Sequence, residues 1–161
     1  MVGILSDSHD NIYKVRRAAE LFRSLGCNLI IHAGDFVAPF AAKELEAAGC
    51  PVKAVFGNCD GERDGLKKYI GSFGEIADAP LVFDWEEMRF LLTHLEDRVE
   101  KDLASQAYDV IIFGHTHNPV IRTVGKTTLI NPGEAGGWLS GKSTAALLDP
   151  VSGNTEIVSL G

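Results

Sequence analysis

In the stretch DVIIFGHTHNP, Asp109–Pro119, four apolar residues run into a glycine and then into His115-Thr116-His117. The chain holds only five histidines, so two of them one residue apart at the end of an apolar run ask for a chemical reason. Asp7-Ser8-His9 repeats the arrangement after the apolar run VGIL. On extended chain, residues i and i+2 point the same way, so two such pairs could grip a metal ion from opposite sides. Further polar groups stand where other apolar runs end: Asp35 after NLIIHAG, Asn58 in Gly57-Asn58-Cys59-Asp60, and His94 after FLLT. Taken singly, Asp35 reads as a helix N-cap, Asn58 as a turn residue and His94 as a satisfied core histidine. His32 lies inside its run and is assigned to structure, supporting the neighbouring loops by hydrogen bonding.

The elements that must position these groups alternate along the chain. VGILS reads as a strand, and NIYKVRRAAELFRSLG places Ile12, Val15, Ala19, Phe22 and Leu25 close to helical period before a glycine stop. NLIIHAG, APFAAKELEAAG and VKAVFGN continue as strand, helix and strand, so a βαβαβ unit with a parallel sheet is expected. After Gly71, EIADAPLVFDWEEMRFLLTH reads as antiparallel strands, DRVEKDLASQAY as a helix and DVIIF as a buried strand. The tail segments VIRTV, TTLIN, STAALLD and TEIVSL, separated by turn signals, suggest a second, largely antiparallel sheet. Ligands of open α/β sheets sit beyond the carboxyl ends of strands, where residues distant in sequence can meet.

Composition limits the host of such a site. The 161 residues suit a single domain with a proper core, and 45% hydrophobic with 23% charged residues excludes a disordered chain. The N-terminus has no basic, signal-like segment and no run is long enough for a membrane span, so a cytoplasmic location is expected. Cys27, Cys50 and Cys59 are odd in number and lack CxxC spacing, which fits reduced thiols. A net charge of -7 without a basic stripe argues against a nucleic-acid polymer as partner.

In order and spacing, Asp7-x-His9, Gly34-Asp35, Gly57-Asn58-Cys59-Asp60, His94 and Gly114-His115-Thr116-His117 resemble the five-block signature of the calcineurin-like metallophosphoesterases. The resemblance runs from Asp7 to Asn131-Pro132-Gly133, and is strongest to the small prokaryotic phosphodiesterases of that superfamily. It implies a four-layer α/β/β/α sandwich of two mixed β-sheets flanked by helices, occupying residues 1–161 as one domain. It implies that Asp7, His9, Asp35 and His117 hold one metal and that Asp35, Asn58, His94 and His115 hold a second, with Asp35 bridging. Asp35, Asn58 and His94 are also taken as catalytic. Two divalent ions about 3.5–4 Å apart can share an acidified hydroxide for in-line attack on a phosphoryl group. Mixed O and N donors suit Mn, Zn, Fe, Co or Ni, with Mn expected first. The expected substrate is a small phosphodiester or nucleotide, and the expected activity a metal-dependent phosphodiesterase. A non-catalytic interaction scaffold, as in a retromer subunit that keeps this sandwich, is the rival reading.

Three positions depart from the family pattern. Cys59 stands where many members have a histidine that serves as general acid, and its bland reading is a small buried filler. Leu95-Glu96 replaces the common Gly-His, and Glu134 replaces the serine that often follows Asn-Pro-Gly; both changes are expected to alter the pocket wall. GGWLSGKS, Gly136–Ser143, fits the GxxxxGK[ST] pattern, but the interrupted strand before it and Pro150 after it argue against a P-loop. DGERDG, Asp60–Gly65, opens like an EF-hand loop but has Gly71 where the bidentate glutamate belongs.

Overall fold

The apolar run Val2–Leu5 forms β1 and is buried at every residue, as a strand covered on both faces must be. The computed structural model describes residues 1–161. After β1 come α1 (Ile12–Ser24), β2 (Leu29–His32), α2 (Pro39–Ala42), a 3-10 helix (Lys43–Ala48), β3 (Val52–Val55), α3 (Arg63–Ile70) and β4 (Gly74–Ala77). Then follow β5 (Leu81–Trp85), β6 (Met88–Leu92), α4 (Val99–Ser105), β7 (Val110–Ile112), β8 (Val120–Val124), β9 (Thr127–Asn131), β10 (Thr144–Leu148) and β11 (Thr155–Ser159). The strands form a six-stranded sheet in the order β11-β10-β1-β2-β3-β4 and a five-stranded sheet in the order β5-β6-β7-β9-β8.

Alternation along each strand sorts the side chains into three apolar layers. Val2, Ile4, Leu29 and Ile31 meet Phe90, Leu92, Val110, Ile112 and Ile130 between the sheets. On the outer side of the first sheet, Leu5, Ile30, Val52 and Ala54 pack against Val15, Ala18, Ala19 and Phe22 of α1, with Leu45, Leu66 and Ile70 beside them. Leu91, Ile111 and Leu129 of the second sheet are covered by Val99 and Leu103 of α4. The result is a four-layer α/β/β/α sandwich of two mixed sheets. No helix is long and apolar enough to cross a membrane.

α1 begins where Asn11 caps it, its side chain accepting from the Lys14 N–H at 3.3 Å, and its buried stripe is Val15, Ala18, Ala19 and Phe22. Three expectations need correction. The segment APFAAKELEAAG is one turn of α-helix followed by the 3-10 helix, and it starts at Pro39, so Asp35 is not its cap. EIADAP is not antiparallel: β4 pairs in parallel with β3 and ends the first sheet, and within this segment the hairpin is β5–β6 alone. The tail does not make one sheet either. β9 pairs in parallel with β7 and antiparallel with β8, whereas β10 crosses to the first sheet and pairs antiparallel with β1. Alternation shows that a segment is a half-buried strand but carries no information on which sheet edge it joins. The sequence carries little signal for α3, because RDGLKKYI buries only Leu66 and Ile70 and has a glycine between its charged residues.

β1, β2 and β3 are mutually parallel, as are β6, β7 and β9. Phe22 is fully buried, and its ring lies so close to β1 that a Cβ on Gly3 would fall 2.6 Å from it. Phe22→Ala is expected to cost about 3–5 kcal/mol of stability, read as a lowered urea midpoint with an unchanged far-UV spectrum under native conditions.

Candidate metal centre

Each residue singled out from the sequence stands just past the carboxyl end of a strand: Asp7 and His9 after β1, Asp35 after β2, Asn58 after β3, His94 after β6, His115 and His117 after β7. The local chain is not extended. Asp7, His9, Asp35, His115 and His117 have φ of 53°, 42°, 61°, 64° and 59°, all in the left-handed region that residues with a Cβ avoid. The i, i+2 rule for extended chain therefore does not explain the pairing. The loops are laced to one another instead. The Asp7 N–H donates to the Gly34 carbonyl at 3.0 Å, the His9 N–H to the Asp35 carbonyl at 3.0 Å, and the Gly114 N–H to the His94 carbonyl at 3.1 Å. The Ala135 N–H donates to the Ser6 carbonyl at 2.9 Å.

Asp7 is fully buried. Its Oδ2 accepts from the His115 N–H at 3.0 Å, while its Oδ1 has no hydrogen-bond partner and faces His117 Nε2 at 3.4 Å and His9 Nε2 at 3.9 Å. Asp35 Oδ1 accepts from the Cys59 N–H at 2.8 Å, and its Oδ2 faces His94 Nε2 at 3.4 Å and His9 Nε2 at 3.8 Å. The His94 ring donates from Nδ1 to the Ala33 carbonyl at 2.7 Å, since a carbonyl only accepts. Nε2 of the neutral ring is then a lone pair, yet it stands 2.8 Å from Asn58 Oδ1 and beside Asp35 Oδ2. With Asn58 in this orientation three acceptors face one another, an arrangement that a second ring proton or a bound metal would satisfy.

The electrostatics agree with that crowding. Burial pushes the Asp7 carboxyl above its ordinary range, with only partial relief from Ser6, His94 and His117. Burial would raise Asp35 too, but hydrogen bonds from His94 and from the Cys59 N–H outweigh it and bring the group down to about 2. Burial disfavours the charged His94 ring, and the Asp35 carboxylate more than compensates, so its pKa is raised.

Three sets of donors lie close enough to hold an ion, each within 4.8 Å mutually: Asp7, His9 and His117; Asp7, Asp35 and His94; His9, Asp35 and Cys59. Asp7 thus falls with both groups rather than with one. His115 joins none of these sets, although its ring centroid is 5.2 Å from that of His94 and it lines the same cavity of about 520 Å³ as His9, Asp35, Asn58 and His117. A second cavity of about 400 Å³ adjoins at Asn58, walled by His94, Phe56, Arg63, Leu95 and Arg98.

Other residues hold the centre in place. His32 Nδ1 accepts from the Gly34 N–H at 3.2 Å, so Nε2–H donates to Ser8 Oγ at 3.0 Å, and the ring stacks on Phe36 at 3.5 Å. Full burial holds its pKa well below the usual imidazole value, which makes His32 a neutral brace between loops. Asp60 closes the Gly57-Asn58-Cys59-Asp60 loop, and its carboxylate accepts from the N–H groups of Gly57 at 2.6 Å, Val37 at 2.7 Å and Asp35 at 3.1 Å. Asn131 does more than open a turn: its amide donates to the Gly114 carbonyl and to Thr116 Oγ1, both at 3.0 Å, and so fixes the His115–His117 loop. Its place ahead of Pro-Gly after an apolar run was the available signal. Cys59 is exposed and lines the cavity, so it is not a buried filler. Leu95 lines the second cavity, as expected of a wall residue. Glu134 is fully buried, three residues past the end of β9, with a carboxylate oxygen 3.4 Å from His117 Nδ1.

A family profile described as the calcineurin-like phosphoesterase superfamily domain matches residues 1–153, and the chain belongs to that superfamily. Among its relatives, phosphodiesterase MJ0936 of Methanocaldococcus jannaschii is 38% identical over 152 residues, covering 92% of each chain. Phosphodiesterase YfcE of Escherichia coli is 30% identical over 147 residues, 80% of this chain and 75% of that one. The solved structure of an archaeal phosphodiesterase superposes with a TM-score of 0.93 at 35% identity, covering 98% of both chains.

Close approach in this centre leaves no room for a methyl at Gly57, where a Cβ would fall 2.1 Å from Asp35 Oδ1 and 2.5 Å from the Asp35 nitrogen. Gly57→Ala is expected to displace the Asp35 carboxylate and lower the amount of tightly bound metal, with secondary structure unchanged; metal titration alongside circular dichroism checks both halves.

Proposed function

We propose that residues 1–161 form one metal-dependent phosphodiesterase domain that hydrolyses a small phosphodiester or nucleotide. The observation that carries this reading is the buried convergence of Asp7 Oδ1, His9 Nε2 and the acceptors around His94, which no lysine or arginine neutralises. The donor set fits divalent transition ions: anionic oxygens and imidazole nitrogens surround the centre, with orphaned atoms directed at a common space. Asp7, His9, Asp35 and His117 would hold one ion, and Asp35, Asn58, His94 and His115 the other, with Mn first and Zn, Fe, Co or Ni as alternatives. When bound, such a pair supplies Lewis-acid polarisation of a phosphoryl group and an acidified water for in-line displacement.

The chain's own residues do the rest. Asp35 stays anionic at working pH because its pKa is held at about 2, so it can serve both ions at once. The Ala33 carbonyl fixes the His94 ring with Nε2 inward, and Asn58 presents its oxygen beside it. Two divalent ions bring four positive charges, while Asp7, Asp35 and Glu134 remove three, which leaves a local attraction for phosphate inside a chain of net charge -7. That balance disfavours a long polyanion, and the cavities of about 520 and 400 Å³ that meet at Asn58 suit the two sides of a small ester. Cytoplasmic action fits a chain whose three cysteines are free thiols.

Metal analysis followed by bis-p-nitrophenyl phosphate hydrolysis, with and without a chelator, tests the proposal. Metal-dependent turnover is expected, and bound metal with no turnover would favour the scaffold reading. Asp35→Asn is expected to lose metal and nearly all turnover. Partial desolvation at the cavity wall and the Asp35 charge raise the Cys59 thiol pKa, which makes it a weak proton donor. Cys59→His is therefore expected to keep metal and raise turnover of diesters with poor leaving groups, since a positioned acid contributes about 10²–10⁴-fold. An unchanged or slower rate for those diesters would refute that role.

A further inference from the structure

Glu134 is the one sequence departure whose surroundings exceed a wall residue's needs. It is buried with no lysine or arginine beside it. One carboxylate oxygen accepts from the N–H groups of Trp138 at 2.7 Å and Leu139 at 3.0 Å; the other accepts from Ser140 at 2.8 Å and shares Leu139 at 3.3 Å. Successive backbone N–H groups folded around an anion offset its buried charge. The oxygen bound to Ser140 also faces His117 Nδ1 at 3.4 Å, and that buried nitrogen is left without a hydrogen bond.

The ring of His117 therefore lies between two carboxylates, with Nδ1 toward Glu134 and Nε2 toward Asp7 Oδ1 at 3.4 Å. A carboxylate only accepts, so a hydrogen on Nδ1 satisfies Glu134 and leaves the Nε2 lone pair facing the candidate centre. Leu139 and Ser140, whose N–H groups hold the same carboxylate, line the cavity above that centre. The Trp138 indole N–H closes the ring of contacts by donating to the His9 carbonyl at 3.2 Å.

We propose that Glu134 is a positioning residue: one buried carboxylate fixes His117 as its Nδ1–H tautomer and fastens the 138–140 turn, so that metal occupancy and order of the cavity wall are linked. The linkage rests on the metal reading above; the tautomer does not. Partners that hold a ligating imidazole in this way alter metal affinity by about 10- to 100-fold when replaced.

Long-range ¹H–¹⁵N spectra of the metal-free protein at alkaline pH report the tautomer directly. The wild type is expected to show a protonated Nδ1 and a bare Nε2 for His117, and a ring protonated at Nε2 would overturn the proposal even if no variant folds. Glu134→Gln keeps the shape but sets an amide N–H₂ among N–H donors. It is expected to mix the tautomers and weaken Zn²⁺ affinity about 10- to 100-fold. Zn²⁺ loading is expected to slow hydrogen exchange at Leu139 and Ser140 in the wild type and to leave it unchanged in the variant. Faster exchange at those amides with the His117 tautomer and Zn²⁺ affinity both unaltered would reduce Glu134 to a loop anchor and overturn the assignment. A wild type that takes up no metal yet keeps the Nδ1–H ring would sink the metal reading and the linkage, and leave the ring assignment standing.

Discussion

Two carboxylates, Asp7 and Asp35, are buried at the meeting point of the two sheets with only histidines for ionic company. Unpaired buried charge is costly, and a folded chain keeps it only where the surroundings fix it in place. Here the fixing is done by backbone. Each carboxylate has one oxygen tied to a main-chain N–H, from His115 and Cys59 respectively, and the other turned to imidazole nitrogens. The same loops carry seven non-glycine residues with positive φ, Asp7, His9, Asp10, Asp35, Val37, His115 and His117, each costing on the order of 1–3 kcal/mol. Hydrogen bonds between loops from opposite sheets hold that strain.

Such an arrangement needs a rigid base. β1, β2 and β3 run parallel in one sheet and β6, β7 and β9 run parallel in the other, and the layer of Val, Ile, Leu and Phe between the sheets fixes their relative height. Loops leaving the carboxyl ends of both sets can then interlock: the Ser6 carbonyl takes the Ala135 N–H, and the Asp7 carboxylate takes the His115 N–H. Small residues make the approach possible. A Cβ at Gly114 would fall 2.0 Å from Ser6 Oγ and 2.8 Å from Asp7 Oδ2, so the first loop and the His115–His117 loop touch only because that side chain is missing.

The strand ends and the gathering of polar residues beyond them were legible in the sequence because a polar residue after a buried apolar run has a limited choice of places to stand. The reason offered for their pairing was wrong in detail: Asp7 and His9 share a direction through left-handed turns, not through extended chain. Sheet membership of β10 and β11 was not legible, since it depends on where the long 132–143 connection lands. Asp60, Asn131 and Glu134 escaped for a related reason. Their partners are backbone N–H and carbonyl groups, or the ring of His117, of residues remote in sequence or across a turn, and side-chain pattern does not encode main-chain direction. α3 escaped because two buried residues in a charged segment give too weak a period.

Cys59 shows how the local field orders events in such a centre. Its sulfur falls within reach of His9 and Asp35, a third set of donors that family resemblance did not suggest. Thiolate, not thiol, is the effective ligand, and partial desolvation together with the negative charge of Asp35, Asp60 and Asp7 raises its pKa, so the group stays protonated in the ion-free protein. Imidazole lone pairs and the anionic Asp35 need no such change to act as donors. A divalent ion held by those residues would offset the negative field at Cys59 and lower the cost of its thiolate. The thiol's chemistry would thereby be conditional on metal, which a histidine at the same position, ordinarily neutral near pH 7, would not require.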